Sequence, residues 1–566
     1  MKKCTQCKKD FDITDADRQF YKKMSVPEPT LCPRCRDMRR WASGNDITLY
    51  RATCDLCKKE MISMYRPGNP YTVYCTACWW SDKLDPLTFG VDYDFSRPFF
   101  DQYRDLQIRV PRLAASVVNC ENSPYINNCG DMKSCYMCTS CGFCEDSYYL
   151  IWSEHSKDCA DSLKTKDNEL CYELVNSGGS YRSAWLYQCE GMSDSYFCYD
   201  CRNCTQCIFS TNLRNKTLHI FNKPVSEQEY KEFVLTLGSA RKAEEYKQTW
   251  HASMQRAIHK YLMLKNCENV VGDNVSNSMN SYAVFDSDSL ENVRYSSCLL
   301  SGSKDSMDVS SYGYGCDLSY EGYGLGGSAN KCLFTRQCFH GCDALYYSDL
   351  CSGVHDLFGC ICLRNTSFCI LNKKYAESDY HALKEKIIAH MRKTGEYGEY
   401  FPGSLSPFGY NESTAMLYDP LSKEDAVRQG YSWNDAMPET KGKETIQWDA
   451  VPDRIGDCDE SITSQILACT QCGRNYKIIK QELRLLKKLG LPLPRSCLLC
   501  RTAARLSLRN PAQFWHRQCM CERGGHDHVG QCVVEFETTY APPEGRASTQ
   551  RPELVYCESC YQKEVV

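Results

Sequence analysis

The chain has 566 residues, 42% hydrophobic and 24% charged, with a net charge of −4, a soluble composition long enough for several domains. No apolar run approaches the ~18 residues needed to span a bilayer, which excludes a helical membrane protein. Cysteine is the outlier at 41 residues against 11 histidines, and the opening MKKCTQCKKDFD shows no secretory leader, so metal in a reducing cytoplasm is expected rather than a secreted disulfide framework.

Two cysteine modules come first. Residues 1–40 hold Cys4, Cys7, Cys32 and Cys35, and residues 41–90 hold Cys54, Cys57, Cys75 and Cys78. In each, two Cys-x-x-Cys knuckles are separated, by 24 and 17 residues respectively. Such knuckles let four thiolates close a tetrahedron around Zn²⁺ with no position left open for a substrate. Both modules are expected to be structural zinc ribbons that fold only with their metal.

From Ser123 onward, every twelfth residue is small: Ser123, Cys135, Ser147, Cys159, Cys171, Ser183, Ser195, Cys207. The adjacent column reads Tyr136, Tyr148, Ala160, Tyr172, Ala184, Tyr196, Ile208. Two columns with one period predict stacked rungs, a β-solenoid over 119–223. At about 3.3 Å per residue, a twelve-residue turn has a perimeter of about 40 Å, suited to Ser and Cys and too narrow for stacked leucines. The same period also fits half of a 24-residue coil. The runs CYMCTSCGFC (135–144) and CYDCRNCTQC (198–207) resemble ferredoxin cluster runs, yet they lack the longer last gap and the proline, and serine replaces cysteine along the column. Packed reduced thiols are the expected reading. The alternatives are an internal metal–thiolate site, or cross-rung disulfides like those of the insect antifreeze β-helices that these rungs resemble.

A helical hairpin is expected over 224–265. It opens on the capping box Ser226–Glu229 and continues through the amphipathic EEYKQTWHASMQRAIHKYLM, as a packed hairpin or a cap on a solenoid end. A second solenoid with looser rungs follows over 266–373, where NCEN (119–122) and LRNKTLHIFNK (213–223) recur as NCEN (266–269) and LRNTSFCILNK (363–373). Its rung positions are expected at Ser281, Val293, Ser306, Leu318, Cys332, Ala344 and Cys369. A helix is expected over 374–395. Residues 396–463 are an aromatic and proline-rich strap and linker, with Ser422 capping a short helix that stops at Gly430.

The chain then repeats its beginning. Shifted by 465 residues, Cys4, Cys7, Cys32 and Cys35 fall on Cys469, Cys472, Cys497 and Cys500, and Arg36 and Arg40 fall on Arg501 and Arg505. Residues 464–510 and 511–566 are therefore two more ribbons, the last using Cys519, Cys532, Cys557 and Cys560. There the insertion MCERGGHDHVGQ splits the first knuckle and adds Cys521, His526 and His528 as rival ligands. About four structural Zn²⁺ ions are the expected cofactors. Residues 1–40 carry a net +5 and residues 464–519 a net +10, which leaves −19 for the rest: two basic ends flank an acidic middle.

The stretches FYKKMSVPEPTLCPRCR, LRNKTLHIFNK, SPFGYNES, LPLPRSC and TTYAP followed by VYCESCY resemble the uncharacterised multi-zinc-ribbon, cysteine-rich proteins of candidate phyla radiation bacteria. The resemblance covers most of the chain; it implies this architecture and no activity.

Three function classes follow. The first is a zinc-binding scaffold or adaptor whose basic ribbon ends grip nucleic acid through Arg36, Arg39, Arg40, Lys487, Lys488, Arg501, Arg505 and Arg509, or grip an acidic protein surface instead. The second is a β-solenoid enzyme using acidic rungs such as Glu145, Asp146, Asp158 and Asp161, for which a solvated acidic face is the plainer reading. The third is metal storage on the 25 cysteines outside the ribbon sets. His155, His219, His340 and His355 lie in rung segments without a paired nucleophile, so the balance is against an enzyme. No small-molecule substrate is indicated.

Overall fold

A computed structural model of the protein describes residues 1–299, 302–313, 315–316, 318–324, 326, 331–337, 344–542 and 553–566. The chain forms two compact units, each assembled from distant segments. Unit 1 is Met1–Ala115 with Leu262–Asp435, and unit 2 is Ser116–Tyr261 with Ala436–Val566. The N-terminal ribbons thus belong with the second solenoid, and the C-terminal ribbons with the first.

In unit 2 the rungs stack as a parallel ladder in which Tyr172 pairs with Ala184, Ala184 with Tyr196, and Tyr196 with Ile208. Each step is twelve residues, so twelve is a full turn and the 24-residue coil is excluded. Every third residue is left-handed, for instance Met137, Ser140, Phe143 and Asp146 at φ 50, 54, 54 and 46°. A rung is therefore four sides of three residues, with a left-handed corner after each. Non-glycine residues pay for that conformation, and the inter-rung ladder offsets it: Tyr136 N–H donates to Ser147 O at 3.1 Å and Ser134 N–H to Glu121 O at 2.9 Å.

The residue after each corner points into the lumen. This is why the cysteines of 135–144 come three apart: Cys135, Cys138, Cys141 and Cys144 occupy the four sides of one turn, all buried. Their thiols donate to lumen carbonyls, as Cys138 does to Tyr136 O and Ser147 O, both at 3.5 Å. Ser147 Oγ donates in the same way to Glu145 O at 2.8 Å, which explains the exchange of Ser and Cys along a column. Burial raises the pKa of the Cys144 thiol to about 12 and pushes the Cys138, Cys141 and Cys189 thiols well up, so these are protonated groups. None of the described cysteines is in a disulfide.

The lumen does admit leucine, contrary to the expectation from perimeter alone. Leu150, Leu174 and Leu186 are fully buried in the same core, the last two on successive rungs. Leu150 shares its turn with Ser147, Ser153 and Ser156. Three small neighbours make room for Leu150 on its turn, whereas Leu186 shares its turn with Ser183, Cys189 and Met192, so the filling differs from level to level.

Outside, one corner column carries an aromatic stack. Trp185 stacks on Phe197 with centroids 4.5 Å apart, Phe197 on Phe209 at 5.2 Å and Phe209 on Phe221 at 4.8 Å. The helices Glu227–Val234 and Ala240–Arg256 cover it through Phe233, Tyr246 and Trp250. The hairpin therefore lies along the side of the solenoid rather than on its end.

In unit 1 the lumen is more aliphatic, built from Val275, Val284, Leu290, Val293, Leu299, Val309, Leu345, Leu357 and others, with fewer cysteines. Ser281, Val293, Ser306, Cys332 and Cys369 are buried as expected. Leu318 and Ala344 are only half-buried; Leu345, in register with Leu357 and Cys369, takes the inward position, because insertions shift the column by one. Each solenoid exits through a two-residue turn with both residues left-handed, Phe221-Asn222 and Leu371-Asn372. The Asn222 side chain bonds the N–H and O of Thr211 at 2.9 and 2.8 Å, and Asn372 does the same to Ile361 at 2.8 and 2.9 Å. The repeated exit motif thus caps the last rung's edge with an amide.

Helix Glu377–Thr394 follows in unit 1. Part of the strap stays there, stacking Phe408 on Tyr65 of the second ribbon at 5.3 Å and bonding Glu412 to Tyr50 at 2.5 Å. Residues from Ala436 onward join unit 2. Among the described residues, no helix is long and apolar enough to cross a membrane.

Candidate metal centres and the ribbon docks

All four ribbons are built alike. The first knuckle follows a short strand, and in three ribbons its turn closes on a left-handed residue: Lys8, Lys58 or Gly473. The first cysteine of the second knuckle (Cys32, Cys75, Cys497 or Cys557) is the N-cap of a helix: Pro33–Trp41, Thr76–Trp79, Leu498–Leu506 or Glu558–Val565. A metal-bound thiolate at that place would lie at the positive end of a helix dipole. Backbone amides also aim at sulfur: Cys32 N–H at Cys4 Sγ (3.3 Å), Cys75 N–H at Cys54 Sγ (3.3 Å) and Cys557 N–H at Cys519 Sγ (3.2 Å).

The sixteen cysteines converge as the spacing predicts, in the sets Cys4/Cys7/Cys32/Cys35, Cys54/Cys57/Cys75/Cys78, Cys469/Cys472/Cys497/Cys500 and Cys519/Cys532/Cys557/Cys560. Sulfur–sulfur separations are 3.8 Å for Cys7–Cys32, 3.9 Å for Cys57–Cys75, 3.7 Å for Cys472–Cys497 and 4.0 Å for Cys532–Cys557. A tetrahedral ion with 2.3 Å metal–sulfur bonds has sulfur–sulfur edges of about 3.8 Å. The four sets are positioned to hold metal, and each is closed by protein ligands. The lumen cysteines form no comparable convergence among the described residues.

The arginines expected on a nucleic-acid surface are used inside the molecule. In unit 1, Arg36 and Arg40, on the helix that closes the first ribbon, both pair with Asp308 of the solenoid, at 3.0 and 3.2 Å. Arg39 between them pairs with Glu321 at 2.7 Å and with Glu399 of the strap at 3.1 Å. Asp17, on the preceding helix, accepts from Tyr295 Oη at 2.9 Å and pairs with Arg294 at 2.9 Å.

Unit 2 repeats this. Arg501 and Arg505 both pair with Asp161, the latter at 2.9 Å, and Glu482 accepts from Tyr149 Oη at 3.1 Å and holds Arg501 at 2.9 Å. All of Arg36, Arg40, Arg501, Arg505, Asp161 and Asp308 are buried. Burial opposes the charge on Arg36 and Arg501, but the adjoining carboxylates hold both guanidiniums protonated. Burial raises the Glu482 and Glu321 carboxyls above the ordinary glutamate value, against their arginines.

Arg36, Arg39, Arg40, Arg501 and Arg505 are thus withdrawn from any external partner, because a buried guanidinium clasped by carboxylate has no face left for phosphate. Lys488 pairs with Asp158 at 2.9 Å at the surface, Lys487 is exposed and Arg509 is half-buried. Asp161 is likewise neither a solvated nor a catalytic carboxylate: it is a counter-ion. The signal for this was present in the sequence, since Asp161 and Tyr149 are twelve residues apart and share one corner column, but nothing in it named their partners. His155 stacks on Phe143 at 4.8 Å, His219 bonds its own rung carbonyl at Thr217 and His355 lies beside Asp356. His340 lies outside the described residues.

No protein-family model matches the chain, and no curated protein matches it either.

Proposed function

We propose that the protein is a zinc-stapled interaction scaffold. Zinc holds each ribbon, the ribbon's closing helix clasps a solenoid aspartate, and the solenoid faces are the surfaces offered to a partner. The observation that carries this reading is the pairing of closed four-thiolate sets with arginine helices spent on the chain's own carboxylates. Metal here orders and docks; none of the four sets keeps the open position that catalysis on zinc requires. A cytoplasmic location suits the free lumen thiols.

The partner we favour is a protein. Nucleic acid would need a basic surface, and five of the eight residues expected to form it are buried in ion pairs. The test is elemental analysis of the purified chain together with its ultraviolet absorbance ratio and salt-dependent binding to RNA and DNA. Zinc in the ribbons, no co-purified nucleic acid and no binding at about 50 mM salt support the proposal. Iron in place of zinc overturns the staple. Binding whose log affinity falls against log salt with a slope of about −3.5 or steeper restores the nucleic-acid reading.

A further inference from the structure

The last ribbon differs from the other three in a way that points to more metal. Its first knuckle is split: Cys519 N–H bonds Val534 O at 2.9 Å, Cys532 N–H bonds Cys521 O at 2.8 Å, and the insertion between them folds back over the site. We propose that this ribbon holds two metal ions, the second bound by Cys521, His526, His528 and Cys560, with the Cys560 thiolate bridging it to the four-cysteine ion.

The ligand atoms of Cys521, His526, His528 and Cys560 all lie within 4.8 Å of one another, and Cys560 belongs to both sets. Cys521 Sγ is 3.2 Å from His526 Nδ1, and Cys560 Sγ is 3.4 Å from His528 Nε2. A sulfur and a nitrogen sharing a tetrahedral zinc ion are expected about 3.5 Å apart. Two thiol–imidazole hydrogen bonds would explain the two contacts one by one, but not the gathering of all four ligand atoms within 4.8 Å of one another.

The outer shell argues the same way. In each histidine the ring nitrogen facing away from the cluster is anchored: His526 Nε2 lies 3.2 Å from Glu564 Oε1, and His528 Nδ1 lies 2.8 Å from Gly530 O. A carboxylate or carbonyl on the far nitrogen fixes the tautomer and aims the other lone pair, as metal-ligating imidazoles require. Cys521 is fully buried and the His526 side chain is 7% exposed, so neither is placed to act on an outside substrate. Two sulfurs and two ring nitrogens gathered this closely, with both far ring nitrogens already engaged, offer a cation four converging lone pairs. Borderline N/S ligation selects Zn²⁺ among the common divalent ions of the cell. The inserted residues are then not rivals for the ribbon's ion but the other half of a binuclear centre.

The inference rests on the ribbons' being metal sites, and the ion count separates the two readings. The full chain, purified without added chelator, is expected to carry five divalent ions. Cys521→Ser should carry four, with the ribbon still folded. His528→Gln serves as a second variant because its half-exposed ring leaves the buried Cys521 in place, and it should also carry four. After exchange with ¹¹³Cd, two cadmium resonances should show mutual coupling through the Cys560 sulfur, and that coupling should vanish in both variants. Four ions in the wild type, or five ions without cadmium–cadmium coupling, would overturn the binuclear centre while leaving the four staples intact. Fewer than three ions would instead refute the metal reading of the ribbons themselves.

Discussion

The two ribbon docks are copies, and their differences show which part of the interface matters. In both, two arginines four residues apart on the closing helix clasp one buried aspartate, and a tyrosine one rung earlier donates to an acid on the preceding helix. Between these contacts the copies have drifted. Arg39 reaches Glu321 and Glu399 in unit 1, whereas the position 465 residues on is Ala504. Glu482 turns to its own ribbon's Arg501, while Asp17 turns to Arg294 of the solenoid. The retained element is a point of charge balance, since an unpaired buried charge costs far more than a lost surface pair.

The largest effect should come from the metal. Structural zinc is worth about 10–16 kcal/mol to a module of this kind. Cys497→Ser should therefore unfold the third ribbon, release one ion and free its closing helix from Asp161. Hydrogen exchange would show protection lost over 464–510 while unit 1 stays protected; loss spread evenly over both units would break the picture of separate docks.

Next in size is the clasp itself. Asp308→Asn leaves Arg36 buried without a carboxylate and should cost about 3–5 kcal/mol. Asp161→Asn should cost a similar amount: Glu482 still holds Arg501 at 2.9 Å, but Arg505 loses the carboxylate it pairs with, as Arg36 does in the other dock, where Arg40 keeps Asp37. Thermal or denaturant unfolding of the two variants checks this, and a clearly larger cost for Asp161→Asn would show that Glu482 does not share the load.

The lumen sharpens a different contrast. Cys159→Ser should be mild, since Ser147 and Ser183 occupy the same column with the same carbonyl bonds. Cys159→Leu should cost about 1–3 kcal/mol, even though leucine is found elsewhere in the lumen, because Ser162, Thr165 and Asn168 already fill that turn beside it. Combining Cys159→Leu with Thr165→Ser should recover part of the loss if volume per turn is the constraint.

The smallest effect is in pH. Burial acts to raise the pKa of Glu399, but attraction to Arg39 and the bonds from Thr30 outweigh it and hold the carboxyl below its ordinary value. Its contribution is therefore present above about pH 4.3, the unfolded glutamate value, and is lost as pH falls through the lower folded value. Glu399→Gln should flatten the acid limb of unit 1's thermal midpoint. Glu321 beside it is shifted up by burial and acts in the opposite sense, which keeps the net slope small.

Sequence alone determined what is local or periodic. The ribbon ligands followed from knuckle spacing, and the rung length from two columns with one period, because a three-residue side and a twelve-residue turn repeat the same neighbours at each step. It did not separate the twelve-residue turn from half of a longer coil, which needed the strand register. Nor did periodicity locate the inward residue once insertions intervened, as Leu318 and Ala344 show. The tertiary structure alone decided where the basic ends go. Two ribbons that share their ligand and arginine positions could each have met either solenoid, solvent or a polyanion; the choice is made by shape and charge matching between surfaces hundreds of residues apart. It places Arg36 and Arg40 on Asp308, and Arg501 and Arg505 on Asp161. The same reason hid the second set in the last ribbon: Cys521, His526 and His528 read as alternatives along the chain, and only the fold brings them to the far side of Cys560.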